Sequence, residues 1–103
     1  MAYLKCEIYI PDEDKWNLID ALNKDGFLYD DGYDSVFAES SVLGHFTPLS
    51  GSNPDIGKIG EHTCVKEAKL EFRIKEVDKD RVLMIIKENH PYEVPVINFM
   101  KLV

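Results

Sequence analysis

The sequence predicts an α+β fold of the ferredoxin-like type, an antiparallel sheet built in the order strand, helix, strand, strand, helix, strand, with both helices on one face. Three observations carry that expectation. Two segments alternate apolar and polar residues with period two. Two others repeat apolar residues at helical spacing behind acidic starts. The 103 residues suffice for one hydrophobic core and not for two.

Tyr3 to Ile10 sets Leu4, Cys6, Ile8 and Ile10 on one side and Tyr3, Lys5, Glu7 and Tyr9 on the other, the pattern of a half-buried strand. Pro11 and Asp12 end it and begin a helix, because proline suits a first helical turn and Asp12, Glu13 and Asp14 favour the positive end of the dipole. Trp16, Ile19 and Leu22, with Leu18 beside them, form the apolar face of that helix, and Gly26 terminates it. Leu28 to Gly32 is a turn. Tyr33 to Leu43 reads as the second strand. Gly44 to Gly60 reads as an irregular excursion holding four of the six glycines with Pro48 and Pro54; unstructured stretches of this length in small domains are usually functional or mobile. From Lys66 onward Ala68, Leu70, Phe72 and Ile74 face one way and Glu67, Lys69, Glu71, Arg73 and Lys75 the other, a strand with one wet face. Asp78 is placed to cap a second helix with Val82, Ile85 and Ile86 in the core and Leu83 and Met84 flanking, closed by His90 before Pro91. Val96 to Val103 is the last strand, so apolar that it should be covered on both faces or lie against a partner.

Composition narrows the function without fixing it. Hydrophobic residues make up 45% of the chain and charged residues 30%, the balance of a folded domain. No apolar run approaches the roughly 20 residues that span a bilayer, so no membrane association is expected. Met1 to Ile10 lacks the pattern of a signal peptide, which makes a cytoplasmic location the expectation. Cys6 and Cys64 lie in strand-like runs and are expected to be buried thiols. The net charge of −7 arises entirely within residues 1 to 40, and no basic stripe compensates it, so nucleic acid is not an expected partner. Asp30, Asp31 and Asp34 lack the spacing of a calcium loop and read as a solvated turn.

Catalytic signatures are scarce. No Gly-x-Ser-x-Gly elbow surrounds a serine, Gly57-Lys58-Ile59 is not a phosphate-binding loop, and no cofactor is implied. His62 and Cys64, two apart, would share one side of an extended chain and are ligands for zinc or copper; a packed strand end is the alternative. The glycines of the excursion could turn backbone amides toward an anion, with Asn53, Lys58 and His62 nearby, or could serve turn geometry alone. His90-Pro91-Tyr92-Glu93 is either a helix end, with His90 at the negative pole, or an acid and base pair beside Tyr92.

Gly44-x-Phe46-x-Pro48-Leu49-x-Gly51-x-Asn53-Pro54-x-Ile56-Gly57-x-Ile59-Gly60, followed by His90-Pro91-Tyr92-Glu93-x-Pro95, resembles the PII/CutA-like domain of the YqfO (Nif-three-like) family over nearly the whole chain. Tyr33-Asp34 resembles the pair that opens that family's second strand, and the chain resembles the free-standing form of the module. The family's metal ligands belong to a larger domain, so none is carried over. Thr47, Val36, Val94 and Asn98 stand where the family often has Arg, Cys, Glu and Asp. The resemblance implies ligand sensing or assembly, and PII and CutA assemble as trimers. The expectation is therefore a non-enzymatic module that binds a small ligand or partner protein and forms a homo-oligomer, trimer or dimer. Its candidate ligand-binding residues are Gly44, Phe46, Asn53, Gly57, Lys58, His90, Tyr92 and Glu93, with His62 and Cys64 as metal candidates. The rival is a metal-dependent or hydrolytic enzyme using His90 with Glu93 and His62 with Cys64.

Overall fold

A computed structural model describes residues 2–103. Its elements are β1 (Tyr3–Pro11), α1 (Lys15–Lys24), β2 (Ala38–Phe46), β3 (Thr63–Lys75), α2 (Lys79–Glu88) and β4 (Ile97–Lys101), with single 3₁₀ turns at Asp12–Asp14 and Glu76–Asp78 leading into the helices. The four strands form one antiparallel sheet in the order β2-β3-β1-β4. This is the ferredoxin-like arrangement that the periodicity predicts. No helix of the described residues is long and apolar enough to cross a membrane.

The core follows from the alternation. Leu4, Cys6, Ile8 and Ile10 of β1 lie opposite Ile74, Phe72, Leu70 and Ala68 of β3, and all eight are buried. Leu18, Ile19 and Leu22 of α1 and Val82 and Ile86 of α2 close over them. Each fully buried aliphatic side chain contributes about 1.5–3 kcal/mol of transfer free energy, which makes this face the main source of stability. The other face is wet at its centre, where Lys5 reaches Glu71 at 2.6 Å and Lys69 lies 3.4 Å from both Glu7 and Glu71.

Several expectations are corrected. Trp16 is 57% exposed and sets only a ring edge against Phe37, with centroids 6.4 Å apart, because at 100° per residue it rotates off the stripe of Leu18, Ile19 and Leu22. The second strand starts at Ala38, not Tyr33. Asp31 and Ser35 take positive φ beside Gly32, and the Ser35 amide is held by the Asn23 side chain, so residues 30–35 turn instead of extending. β2 runs on through Gly44 and Phe46, and β3 begins already at Thr63. Cys64 is exposed rather than buried: β1 stops at Pro11, opposite Glu67, so Thr63 to Lys66 pair with β2 alone, past the body of the sheet. Asp78 holds the N-cap position of α2 but makes no capping hydrogen bond; Asn89 closes the other end by donating to the Ile85 carbonyl at 2.9 Å. The last strand is regular only over Ile97–Lys101. Ile97 and Phe99 pack against the core while Val96, Met100 and Leu102 stay exposed, so one chain covers a single face of it.

Candidate functional site

The overhanging end of β2 and β3, the connection between them and the turn from α2 to β4 enclose a cavity of about 530 Å³ on the face of the sheet away from the helices, within the usual range for small-molecule sites. Its position is set by register. Val42 lies opposite Glu67 and Gly44 opposite Val65, so Gly44, Phe46 and Glu67 point to the same side.

Glu67 is the central residue, and it corrects the expectation of a uniformly wet face. It is only 6% exposed. Tyr92 donates from its hydroxyl to Glu67 Oε2 at 2.8 Å. Gly44 makes room for the same carboxylate, since a β-carbon there would overlap it. Burial, then the hydrogen bond to Glu67 and its charge, push the Tyr92 hydroxyl well above its ordinary pKa, so it stays a donor. Phe46 meets the Tyr92 ring edge-on, centroids 6.0 Å apart, and builds the adjoining wall.

His90 underlies the turn and leaves the cavity to its neighbours. Its Nε2 donates to the Tyr9 carbonyl at 2.7 Å, and its Nδ1 accepts from the Tyr92 amide at 3.2 Å. Both ring nitrogens are consumed by main chain, which specifies the neutral Nε2–H tautomer, and burial lowers its pKa. Its place at a helix pole is thus corrected: it is buried against β1. Glu93 accepts from the Asn53 amide at 3.2 Å and ties the long connection to the turn. His90 and Glu93 therefore do not meet as an acid and base.

Of the other predicted residues, Gly44, Phe46, Tyr92 and Glu93 line the cavity, whereas Asn53, Gly57 and Lys58 do not. Asn53 contributes its backbone amide. Gly57 adopts φ +91°, and a β-carbon would come within 2.5 Å of Thr63 Oγ1, so it serves the loop's shape. Lys58 is exposed. His62 and Cys64 gather around His45: His45 Nδ1 lies 3.0 Å from His62 Nε2, and His45 Nε2 lies 3.9 Å from Cys64 Sγ. His45 thus uses opposite ring nitrogens toward its two neighbours, and among the described residues no three such side chains are arranged to hold a metal ion. The thiol of Cys6 is buried, which pushes its pKa up to about 12 and makes it inert.

Sequence reasoning missed Glu67, Tyr9, Asp55 and Asn98, all of which line the cavity. One signal for Glu67 was available: a glycine inside a strand marks the close approach of another group, and Gly44 lies inside β2.

No family model matches the chain. A GTP cyclohydrolase 1 type 2 homolog of Staphylococcus aureus (strain COL) is 37% identical over 101 residues, which are 98% of this chain and 28% of that protein. The chain thus spans little more than a quarter of the curated relatives it matches. Among solved structures, a Bacillus cereus protein related to NIF3 superposes with a TM-score of 0.82 at 22% identity, covering 98% of this chain and 26% of that one. CutA1 from Oryza sativa gives 0.72 at 13% identity over 100% of this chain and 82% of its own. The B. subtilis GlnK–ATP complex gives 0.67 at 17% identity over 98% and 82%.

Proposed function

We propose, on the premise that this chain is a PII/CutA-like domain of the NIF3-related family, that it is a non-enzymatic cytoplasmic module that self-associates and binds a small molecule. The ligand seat is the cavity between the β2–β3 connection and the α2–β4 turn. One observation carries the reading. A buried carboxylate, Glu67, is held at the cavity by a tyrosine hydroxyl and accommodated by a glycine. Burying a charge is costly, so a fold that does it away from its core argues for a use.

A binding role is favoured over catalysis by how the nearby groups are spent. Both nitrogens of His90 serve main chain, and Glu93 holds the loop. The Tyr92 hydroxyl commits its one proton to Glu67, and burial beside that carboxylate raises its pKa. Self-association is supported by the free edge of β4 with exposed Val96, Met100 and Leu102, and by the likeness to CutA1 and GlnK.

Thermal-shift screening of a metabolite panel tests the ligand seat. At least one compound should raise the melting temperature of the native chain, as a ligand selective for the folded state must. Gly44→Val, which intrudes on Glu67, should abolish the increment. Leu49→Ala, on an exposed residue that does not line the cavity, should preserve it. An increment that survives Gly44→Val would place the ligand elsewhere.

A further inference from the structure

We infer that the cavity selects a molecule with an apolar body and a protonated nitrogen, an amine, amidinium or guanidinium, with Glu67 as its counter-charge. The inference rests on the ligand seat proposed above and adds the chemical class of its occupant.

The first support is an incomplete hydrogen-bond account. Glu67 Oε2 receives the Tyr92 hydroxyl, while Oε1, the oxygen over Gly44, receives no hydrogen bond from the described residues. Among the described residues no side-chain oxygen or nitrogen is both sealed from solvent and without a partner. Oε1 is therefore reachable, and Glu67 lines the cavity. An ionised carboxylate is an acceptor only, and charge-assisted donors are its strongest partners.

The second support is the sign of the lining. Its carboxylates are Asp55, Glu67 and Glu93, and no lysine or arginine joins them. An anion would enter against three like charges, and a neutral molecule would leave the buried charge uncompensated. A cation meets both demands. The remaining wall fits an apolar body, with Phe46, Pro48, Pro54, Ile56, Val94 and Val96 around it. Tyr9 and Tyr92 add aromatic rings to the lining, and such rings attract a cation.

Three matched series of arylalkyl compounds, terminating in a primary amine, a hydroxyl or a carboxylate, separate the possibilities by calorimetric titration. For the native chain the amine should bind at least tenfold more tightly than the alcohol, with the carboxylate weakest. In Glu67→Gln the amine should fall to the level of the alcohol, and Gly44→Val should remove both. An alcohol or carboxylate that binds as tightly as the amine overturns the inference, as does a preference for the amine that survives Glu67→Gln. The native chain alone supplies the first comparison, so the inference stands or falls even where a variant folds poorly. If the alcohol or carboxylate binds best and is lost in Gly44→Val, the charge assignment fails while the seat stands. If none of the three series binds, both readings fail.

Discussion

Gly44 has no room for a side chain, and the reason is steric rather than conformational. Its backbone lies in a regular strand, but the space a β-carbon would take is filled by the Glu67 carboxylate. Gly44→Ala should cost about 1–3 kcal/mol, the usual range for overpacking. In a Glu67→Ala background the same change should cost less than about 0.5 kcal/mol, since the obstructing group is gone. Urea denaturation of the four proteins measures the coupling, and equal costs in both backgrounds would show that Glu67 is not what Gly44 accommodates. His90 supports a second prediction at this scale. Its folded-state pKa is depressed by burial, so below the ordinary value of about 6.5 the unfolded chain takes up the proton more readily than the folded one. The His90 contribution to stability is complete above that pH and is lost as pH falls from about 6.5 toward the lower folded value. A proton on Nδ1 would also face the Tyr92 amide, donor against donor. Denaturation midpoints at stepped pH should fall through this window more steeply in the native chain than in His90→Gln.

At the scale of elements, β3 has two regimes. Where it lies between β1 and β2, from Glu67 to Glu71, it is paired on both sides, whereas from Thr63 to Lys66 it pairs with β2 alone. Amides of the second stretch should exchange with deuterium faster than those of the first, because local opening there breaks fewer contacts; uniform protection along β3 would show that the overhang is no weaker than the rest. The elements differ in how openly the sequence declares them. β1 and the inner part of β3 each bury one face under helices, so alternation marks both and even names the core residues. β2 is an edge strand whose first four residues are all exposed, and a strand wet on both faces leaves no period to read. Pattern alone therefore starts it too early, inside a turn whose positive φ values at Asp31 and Ser35 are not encoded by glycine. The site was legible only in part. Phe46, Tyr92 and Glu93 sit in conspicuous motifs, but Glu67 reads like Lys69 or Glu71, its neighbours on the same face. What separates them is a turn arriving from 25 residues away to cover Glu67 alone, and no local window contains that fact.

The whole molecule is elongated, 46 × 23 × 22 Å, with a radius of gyration of 14.6 Å, against about 13 Å for a compact chain of this size. The overhang of β2 and β3 past the end of β1 carries the cavity. Of the two edges of the sheet, β4 with its flanking residues exposes three apolar side chains, Val96, Met100 and Leu102, beside unpaired backbone, against Leu43 on β2, and a free monomer would be expected to blunt such an edge. Sedimentation at micromolar concentration should show a multiple of 11.8 kDa, shifted toward the single chain by Met100→Asp with Leu102→Asp. These two are the informative positions because Phe99 packs inward. A concentration-independent mass of 11.8 kDa would exclude the assembly. The net charge of −7 then acquires a consequence of its own. Every copy added to an assembly brings the same excess of negative charge, and mobile ions screen that repulsion over a Debye length of about 8 Å at physiological ionic strength. Added salt should therefore tighten the contact between copies while it loosens the grip on a cationic ligand, so that the two equilibria of one small chain respond to ionic strength with opposite slopes.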